Sequence, residues 1–369
     1  MNRPIKLMHI VESFGGGTFT VLTQIVNSLN PLEFDVSIAY SLRPEITSDF
    51  RYRIRKEVRL IHLPMVREVK PLHDLKSLFQ LWKLLKKEQP DVVHLHSSKA
   101  GFLGRIAARL SGITRVFYSP HGFAFLRQDV DEKARNLYHR FERIASRFGG
   151  TIVACSESEL KAAKSVTPNA LLIHNAIDVE SIDRLINSSP LTNKIQKGRV
   201  TIGTVGRITP ARAPVLFAKI AREVTSARPG LIRLLWIGGG ENIEDLADSP
   251  VEVTGWLPRE KALQRLSQEI DVYLHTSLWE GMPIAILEAM ALSKPVVATK
   301  VVGNRDVVVH GETGSLCSSF EELTTSLLQL SDEPNLREEM GRAGRARVEA
   351  EFSLPAFIKR LSALYRSKW

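Results

Sequence analysis

Apolar and polar positions change period repeatedly along the chain. Short runs rich in β-branched residues alternate with longer stretches in which apolar residues recur every three to four positions. In the first half, Lys6–Val11, Phe34–Tyr40, Val58–Leu63, Asp91–Leu95, Arg115–Ser119 and Thr151–Ala154 predict strands. Between them, Thr18–Asn30, Asp74–Glu88, Gly101–Leu110 and Tyr138–Phe148 predict helices. In the second of these, Leu75, Leu78, Phe79, Trp82 and Leu85 fall at i, i+3, i+4, i+7 and i+10, an amphipathic spacing. The second half repeats the scheme. Strands are predicted over Val200–Val205, Ile232–Ile237, Val251–Val253, Asp271–His275 and Pro295–Ala298, and helices over Pro214–Thr225 and Ile284–Leu292. A helical tail runs from Phe320 to Trp369, with breaks at Pro334 and Pro355. Strands alternating with helices imply βαβ units and mostly parallel sheets.

The polar stretch Val179–Gly198, with Ser188-Ser189-Pro190 and Lys194-Ile195-Gln196-Lys197-Gly198, interrupts the alternation. It is expected to be a linker between two α/β halves, 1–177 and 178–350, with a ligand cleft between them. The length of 369 residues accommodates two domains, and 44% hydrophobic residues exclude a fully disordered chain. No apolar run approaches the ~20 residues that cross a bilayer. The N-terminal segment is apolar only briefly before Glu12, so it is not expected to be a signal peptide. Cys155 and Cys317 lie far apart, which argues against a disulfide framework or a cysteine zinc site and fits a reducing compartment.

Charge separates the halves. The formal net charge is +10; residues 1–177 hold 26 basic and 16 acidic residues, and residues 178–369 hold 24 of each. Such asymmetry points to an anionic partner for the first half: a phosphorylated acceptor, an acidic membrane surface or nucleic acid. A solvated basic face without a partner is the alternative. The run Arg51, Arg53, Arg55, Lys56, Arg59 has only Tyr52 interleaved, so no stacking platform for nucleic acid is evident. The same run, with Lys83, Lys86 and Lys87, suits anionic lipid headgroups.

Several loops carry candidate chemistry. Gly15-Gly16-Gly17 separates a strand from a helix, where backbone can approach a ligand and amides can face an anion. Thr20 stands where a dinucleotide fingerprint has its third glycine, and the second strand ends at Ala39-Tyr40 without an acidic residue. A nicotinamide cofactor is therefore disfavoured. Gly206-Arg207-Ile208-Thr209-Pro210-Ala211-Arg212-Ala213-Pro214 opens a helix without a capping side chain, and its two arginines suit a diphosphate. Trp279-Glu280-Gly281-Met282-Pro283-Ile284-Ala285-Ile286-Leu287-Glu288-Ala289-Met290 places one carboxylate just before a helix and another more than a turn inside it. The two can reach different ends of one elongated ligand, and Glu288 in so apolar a helix needs a partner. His121-Gly122 ends a strand on the edge where α/β sheets bind ligands. His94, His96, Ser97 and Lys99 close the preceding strand in the same way, and the two imidazoles are expected on opposite strand faces, which argues against joint metal binding.

Together these segments resemble the family 4 retaining glycosyltransferases. Gly15–Gly17 matches the family's N-terminal glycine loop, and His121-Gly122 its His-Gly. Asn175-Ala176-Ile177-Asp178 matches Asn-Gly-Val-Asp at the interdomain crossing, with Ala for Gly. Gly206-Arg207…Arg212 matches Gly-Arg…Lys, with Arg for Lys, and Glu280 and Glu288 form the E-x7-E pair. The resemblance implies the α/β GT-B fold, two Rossmann-like domains facing across a cleft. A C-terminal helix over 351–369 would return to the N-terminal domain. Pro90–Gly101 and Tyr118–Phe123 have the texture of the bacterial branch that builds surface polysaccharides, such as O-antigen or exopolysaccharide, on a lipid carrier.

The resemblance further implies an enzyme, a hexosyl- or N-acetylhexosaminyltransferase. Residues 178–350 would bind a nucleotide-sugar donor, usually UDP-linked, and residues 1–177 a saccharide or polyprenyl-diphosphate-linked acceptor. Arg207 and Arg212 would hold the diphosphate, Glu288 the ribose and Glu280 the donor sugar. Gly281, Met282, Pro283 and the amides of Ile284 and Ala285 would line the donor. Gly16 and Gly17 would sit by the diphosphate or acceptor, His121 beside the anomeric carbon, and Ser97 and Lys99 by the acceptor. Two arginines and two helix N-termini would stabilise the leaving diphosphate, so no metal or cofactor is expected. Asp129-Val130-Asp131 mimics the metal-binding DxD of another glycosyltransferase architecture, but it precedes Glu132-Lys133-Ala134-Arg135 and reads as a helix cap. Attachment to the inner face of the cytoplasmic membrane is expected, and no nucleic acid partner. The alternatives are a UDP-sugar epimerase of the same fold and an inactive donor-binding subunit.

Overall fold

The computed structural model describes residues 3–42, 48–66, 70–188 and 198–367. It divides into two compact units. One holds residues 1–175 together with 355–369, the other 176–354, against expected divisions at 177/178 and 350/351.

The first unit runs β1 (Ile5–Phe14), α1 (Gly16–Ser28), β2 (Phe34–Leu42), β3 (Arg59–His62), α2 (Pro71–Glu88), β4 (Val92–His96), α3 (Ser98–Ser111), β5 (Val116–Ser119), α4 (Glu132–Ser146), β6 (Thr151–Ala154), α5 (Glu157–Val166) and β7 (Ala170–Leu172). Its parallel sheet has the order β3-β2-β1-β4-β5-β6-β7. One sheet face, with Met8, Ile10, Val93, Leu95 and Tyr118, packs on α2 and α3. The second unit runs α6 (Val179–Ser188), β8 (Val200–Val205), α7 (Pro214–Ala227), β9 (Ile232–Ile237), β10 (Val251–Val253), α8 (Arg259–Glu269), β11 (Val272–His275), α9 (Ile284–Ala291), β12 (Val296–Thr299), α10 (Asn304–Val307), β13 (Gly314–Cys317), α11 (Phe320–Asp332) and α12 (Pro334–Glu351). Its parallel sheet has the order β10-β9-β8-β11-β12-β13. The final helix, α13 (Leu354–Arg366), falls almost wholly in the first unit, where Tyr365 meets Phe34 and Phe117.

Both sheets reverse strand order beside their first strand, between β1 and β4 and between β8 and β11. Ligands of open α/β sheets bind beyond the strand C-termini at that reversal. The predicted motifs lie there: Gly15–Gly17 and His96–Lys99 in one unit, Gly206–Arg212 and Thr276–Glu280 in the other.

Three expectations need correction. Half of the expected linker is helix α6, because Val179, Ile182, Leu185 and Ile186 share one face and Asp178 accepts from the Ser181 amide at 3.0 Å. The rest of that segment, residues 189–197, lies outside the described residues. Helix α4 begins at Glu132 rather than at Tyr138, since Asp131 caps it by accepting from the Ala134 amide at 2.7 Å. Asp129 meanwhile pairs with Arg127 at 2.7 Å. His94 and His96 do not face apart: residues two positions apart on a strand project to the same face, and their ring centroids are 4.3 Å apart. Among the described residues, no helix is long and apolar enough to cross a membrane.

Candidate active site

The C-terminal edge of the second sheet gathers a compact polar cluster. Arg212 precedes α7, and His275 ends β11. Arg212 Nη1 donates to His275 Nδ1 at 3.0 Å. A guanidinium only donates, so Nδ1 accepts, and the neutral imidazole carries its proton on Nε2. That Nε2–H donates to Glu280 Oε1 at 3.1 Å, which also accepts from Ser277 Oγ at 2.9 Å. Arg212 Nε lies 3.8 Å from the same oxygen. Burial, then the Arg212 charge, pulls the His275 imidazole down to about 4 against the pull of Glu280. Burial alone would raise the Glu280 carboxyl; the His275 hydrogen bond, the guanidinium and Ser277 outweigh it and bring it to about 2. Glu280 is therefore a carboxylate at any physiological pH, and among the described residues the hydrogen bonds to its side chain fall on Oε1.

The loops around it are closely fitted. The Glu280 amide donates to the Val302 carbonyl at 3.2 Å, and a Cβ on Gly303 (φ +86) would stand 2.7 Å from Glu280 Cβ. The Gly206 carbonyl accepts from Trp236 Nε1 at 2.9 Å, and a Cβ on Gly238 would meet that oxygen at 2.1 Å. Helix α7 follows Ala213 at φ +48, and α9 follows Pro283; neither start has a capping side chain. Two first turns thus present open amides, including those of Ile284 and Ala285, on the edge that carries Arg212 and Glu280. Gly281 and Met282 lead into α9, with Met282 buried. Arg207 lies part-buried after Gly206. Glu288 is buried inside α9, and its carboxylate accepts from Arg259 Nη2 at the start of α8.

The first unit offers a second arrangement. Gly16 and Gly17 form the exposed, uncapped first turn of α1, with Gly16 at φ +52. His121 follows β5 at φ +54, and the amide of Gly122 donates to Glu159 Oε1 at 2.7 Å. His121 Nε2 lies 2.9 Å from His96 Nδ1, and His96 Nε2 lies 2.9 Å from His9 Nδ1. His9 Nε2 is buried without a partner among the described residues. A buried lone pair left alone costs less than a buried N–H left alone, so the donors run from His9 through His96 to His121. His121 then keeps its own proton on Nδ1. Beside this chain, Ser119 donates to the Val153 carbonyl at 3.1 Å and so accepts from His94 Nε2 at 2.9 Å, while the Tyr365 hydroxyl donates to His94 Nδ1 at 2.6 Å. Burial holds all four imidazoles neutral, His9 at about 3 and His121 at about 4. One ring nitrogen from each of His9, His94 and His96 lies within 4.8 Å of the others, close enough for one metal ion. Hydrogen bonds already use five of their six ring nitrogens. Ser97 Oγ donates to Glu12 Oε2 at 3.0 Å, and Lys99 pairs with Asp74 at 2.6 Å, so both expected acceptor residues are engaged within the protein.

The structure therefore brings together Arg212, Glu280 and the α9 start, and separately His121 with His96. Sequence reading passed over His275, Ser277, Gly303, Arg259 and His9. A buried Glu288 signals that some cation must answer it, but nothing local points to a residue 29 positions away.

Comparison with known proteins follows the same division. Residues 16–172 match a family model described as a glycosyl transferase 4-like domain, and residues 199–333 one described as glycosyl transferases group 1. An Escherichia coli UDP-Gal:alpha-D-GlcNAc-diphosphoundecaprenol alpha-1,3-galactosyltransferase is 29% identical over 98% of this chain and 96% of its own. The Staphylococcus aureus capsular polysaccharide biosynthesis glycosyltransferase CapM is 27% identical over 87% and 89%. Among solved structures, Anabaena HepE in complex with UDP-glucose superposes with a TM-score of 0.73 at 17% identity, covering 97% of this chain and 98% of that one. Sucrose-phosphate synthase from Thermosynechococcus elongatus gives 0.77 at 18%, covering 99% and 98%. The epimerase alternative finds no support in these matches. Two family models that between them span most of the chain, and a shared fold of two Rossmann-like domains, make the protein a glycosyltransferase of the GT-B fold.

Proposed function

We propose that the protein is a retaining, family 4 glycosyltransferase that moves a hexose or N-acetylhexosamine from a UDP-sugar to a saccharide carried on polyprenyl diphosphate. It would work in bacterial surface-polysaccharide synthesis at the inner face of the cytoplasmic membrane. The observation that carries this reading is the cluster at the β8/β11 reversal. A guanidinium, an ionised carboxylate and two open helix starts share one sheet edge there. The E. coli galactosyltransferase, similar along nearly the whole chain, supports the donor and acceptor class, and the capsular CapM supports the pathway.

Arg207 and Arg212 take the diphosphate, assisted by the α7 and α9 amides. Glu280 accepts sugar hydroxyls on Oε2, Glu288 the ribose hydroxyls, and His121 serves the transferred sugar. As UDP leaves, negative charge grows on the diphosphate where fixed donors stabilise it without reorganisation, so neither metal nor cofactor is required. The acceptor hydroxyl attacks from the face the phosphate leaves and gives that phosphate its proton, which retains configuration. A covalent role for Glu280 is disfavoured by its surroundings: donors that hold a carboxyl at about 2 also make it a poor nucleophile.

The test offers labelled UDP-, GDP- and ADP-sugars to the full chain with a synthetic GlcNAc-diphospho-lipid, and reads the anomeric configuration of the product by NMR. An α-linked product from a UDP-sugar is expected. Transfer confined to GDP- or ADP-sugars, or an inverted product, would overturn the reading.

A further inference from the structure

Helix α4 is built inside out. Its buried face carries Glu142, whose carboxylate accepts from Arg105 Nη2 at 2.6 Å and from the Tyr118 hydroxyl at 2.8 Å. Its outer face carries the large apolar residues: Leu137 is 47% exposed, Phe141 38%, Ile144 44%, and Phe148, just past the helix end, 38%. The spacing i, i+4, i+7, i+11 puts these four on one line along the helix. Lys133, Arg140, Arg143 and Arg147 are exposed along the flank away from Glu142, and the only exposed acid on the helix is Glu132 in its first turn. Isolated apolar residues at a surface need no explanation; a continuous stripe bordered by cations does.

The neighbouring helices extend the pattern. Helix α3 packs between α2 and α4, and Phe102 on α3 meets Phe141 at a ring-centroid distance of 6.0 Å. The three helices thus present one outer surface. On α2, Leu72 is 83% exposed, Leu75 65% and Phe79 50%, and the Lys83 ammonium lies 4.4 Å from the Phe79 ring centroid. Lys76, Lys86 and Lys87 are exposed on the same helix. The run expected to meet lipid, by contrast, is largely spent within the fold. Arg53 lies over Phe19, Arg55 donates to the Leu29 carbonyl, and Arg59 pairs with Glu88 at 2.8 Å.

We propose that the outer surface of α2 and α4 docks on an anionic lipid bilayer, with α4 lying in the headgroup plane and its Leu137–Phe148 stripe inserted between the acyl chains. A bilayer edge-on offers, within a few ångströms of depth, an anionic layer for the arginines and an apolar layer for the stripe. The excess positive charge of residues 1–177 has the matching sign.

The experiment is co-sedimentation of the full chain with phosphatidylcholine vesicles, with or without phosphatidylglycerol, at low and high salt. Wild type should partition at least about tenfold better onto the anionic vesicles at low salt, and high salt should remove most of that advantage. Phe141→Ser with Ile144→Ser should lower partitioning about tenfold. Arg140→Glu, Arg143→Glu and Arg147→Glu together should abolish it. The arginine variant alters exposed side chains only and should keep the wild-type urea midpoint; the Ser variant also gives up the packing of Phe141 on Phe102 and should unfold at somewhat lower urea, and both, assayed where they are folded, should keep wild-type transfer to a water-soluble acceptor. Vesicle binding of both variants equal to wild type would overturn the proposal, as would absence of wild-type binding to anionic vesicles. So would dissociation of a self-associated form by the Ser variant with vesicle binding intact, which would make the stripe a contact between copies. None of these readouts depends on which sugar is transferred.

Discussion

Gly303 is the residue whose replacement should damage the proposed donor site most for the smallest change in composition. It precedes α10 at φ +86 and ψ −53, a backbone conformation that side chains rarely adopt. An added Cβ would stand 2.7 Å from Glu280 Cβ and 3.0 Å from both the Glu280 carbonyl carbon and oxygen. The atoms it meets are backbone and the first side-chain carbon, which cannot swing aside as a flexible tip would. Gly303→Ala therefore incurs two costs, about 1–2 kcal/mol for the left-handed backbone and about 1–3 kcal/mol for overpacking. Gly311 separates them. It has φ +81 with nothing within 4 Å of its added Cβ, so Gly311→Ala carries the backbone cost alone.

Urea unfolding should then place Gly311→Ala about 1–2 kcal/mol below wild type and Gly303→Ala about 2–5 kcal/mol below. Calorimetry should give Gly311→Ala the wild-type affinity for the donor. The Gly303 variant relieves its clash by moving Glu280, breaking the register of Oε1 with His275 and Ser277, and should lose tenfold or more in donor affinity. Equal affinities for the two variants, or a stability loss in Gly303→Ala no larger than in Gly311→Ala, would refute the claim that Gly303 is there to seat Glu280.

Three further outcomes follow from the ionisable groups. Glu280 titrates near 2 in the fold against an ordinary 4.5, so its stabilisation is fully present above about pH 4.5 and is lost as pH falls towards 2; urea midpoints of Glu280→Gln should show a flatter acid limb over that window. Arg259→Met strands the buried Glu288 carboxylate and should cost about 2–4 kcal/mol in urea unfolding, most of it regained when Glu288→Gln is added. His9 is held at about 3 and would take a proton near 6.5 when unfolded, so the unfolded chain binds more protons between those values and stability is lost as pH is lowered, by up to ~1.4 kcal/mol per unit. His9→Phe should lose about 1–3 kcal/mol at neutral pH, because His96 forfeits a partner, yet decline less steeply between pH 6.5 and 4 than wild type in the same titration.

The strands were legible because both sheets are parallel and covered by helices on both faces, which makes each strand a short apolar run. Elements such as β7 and β13 escaped because neither holds a β-branched residue: they read Ala170-Leu171-Leu172 and Gly314-Ser315-Leu316-Cys317, whereas the equally short β10 reads Val251-Glu252-Val253. Helix α6 escaped for a different reason. Its polar composition reads as linker, and the cap that starts it, Asp178, reads equally well as part of the interdomain motif. At the proposed donor site the two carboxylates and the loop arginines were visible from spacing. The groups that tune them were not, because His275 and Arg259 owe their roles to sheet order and helix packing rather than to neighbours in the chain.

Backbone strain shows where local rules stop applying. Among the described residues, five non-glycine residues have positive φ, and three of them, Ser97, His121 and Ala213, lie in loops between a strand end and the next helix, at the C-terminal edges of the two sheets. Each costs on the order of 1–2 kcal/mol that glycine or a shifted turn would avoid. The surroundings explain why each persists. Ser97 is tied by its amide to the Ser119 carbonyl at 3.1 Å and by its hydroxyl to Glu12. His121 is held through its ring by His96, with the next amide on Glu159. Ala213 is held by its amide on the Pro210 carbonyl at 3.0 Å, and its turn delivers Arg212 to His275. At His121 and Ala213 the strained residue, or its immediate neighbour, is one whose chemistry the proposed transfer uses; Ser97 is instead engaged within the protein. Strain of this kind persists only where surrounding contacts over-determine it, and at His121 and Ala213 those contacts are the hydrogen bonds that aim His121 and Arg212.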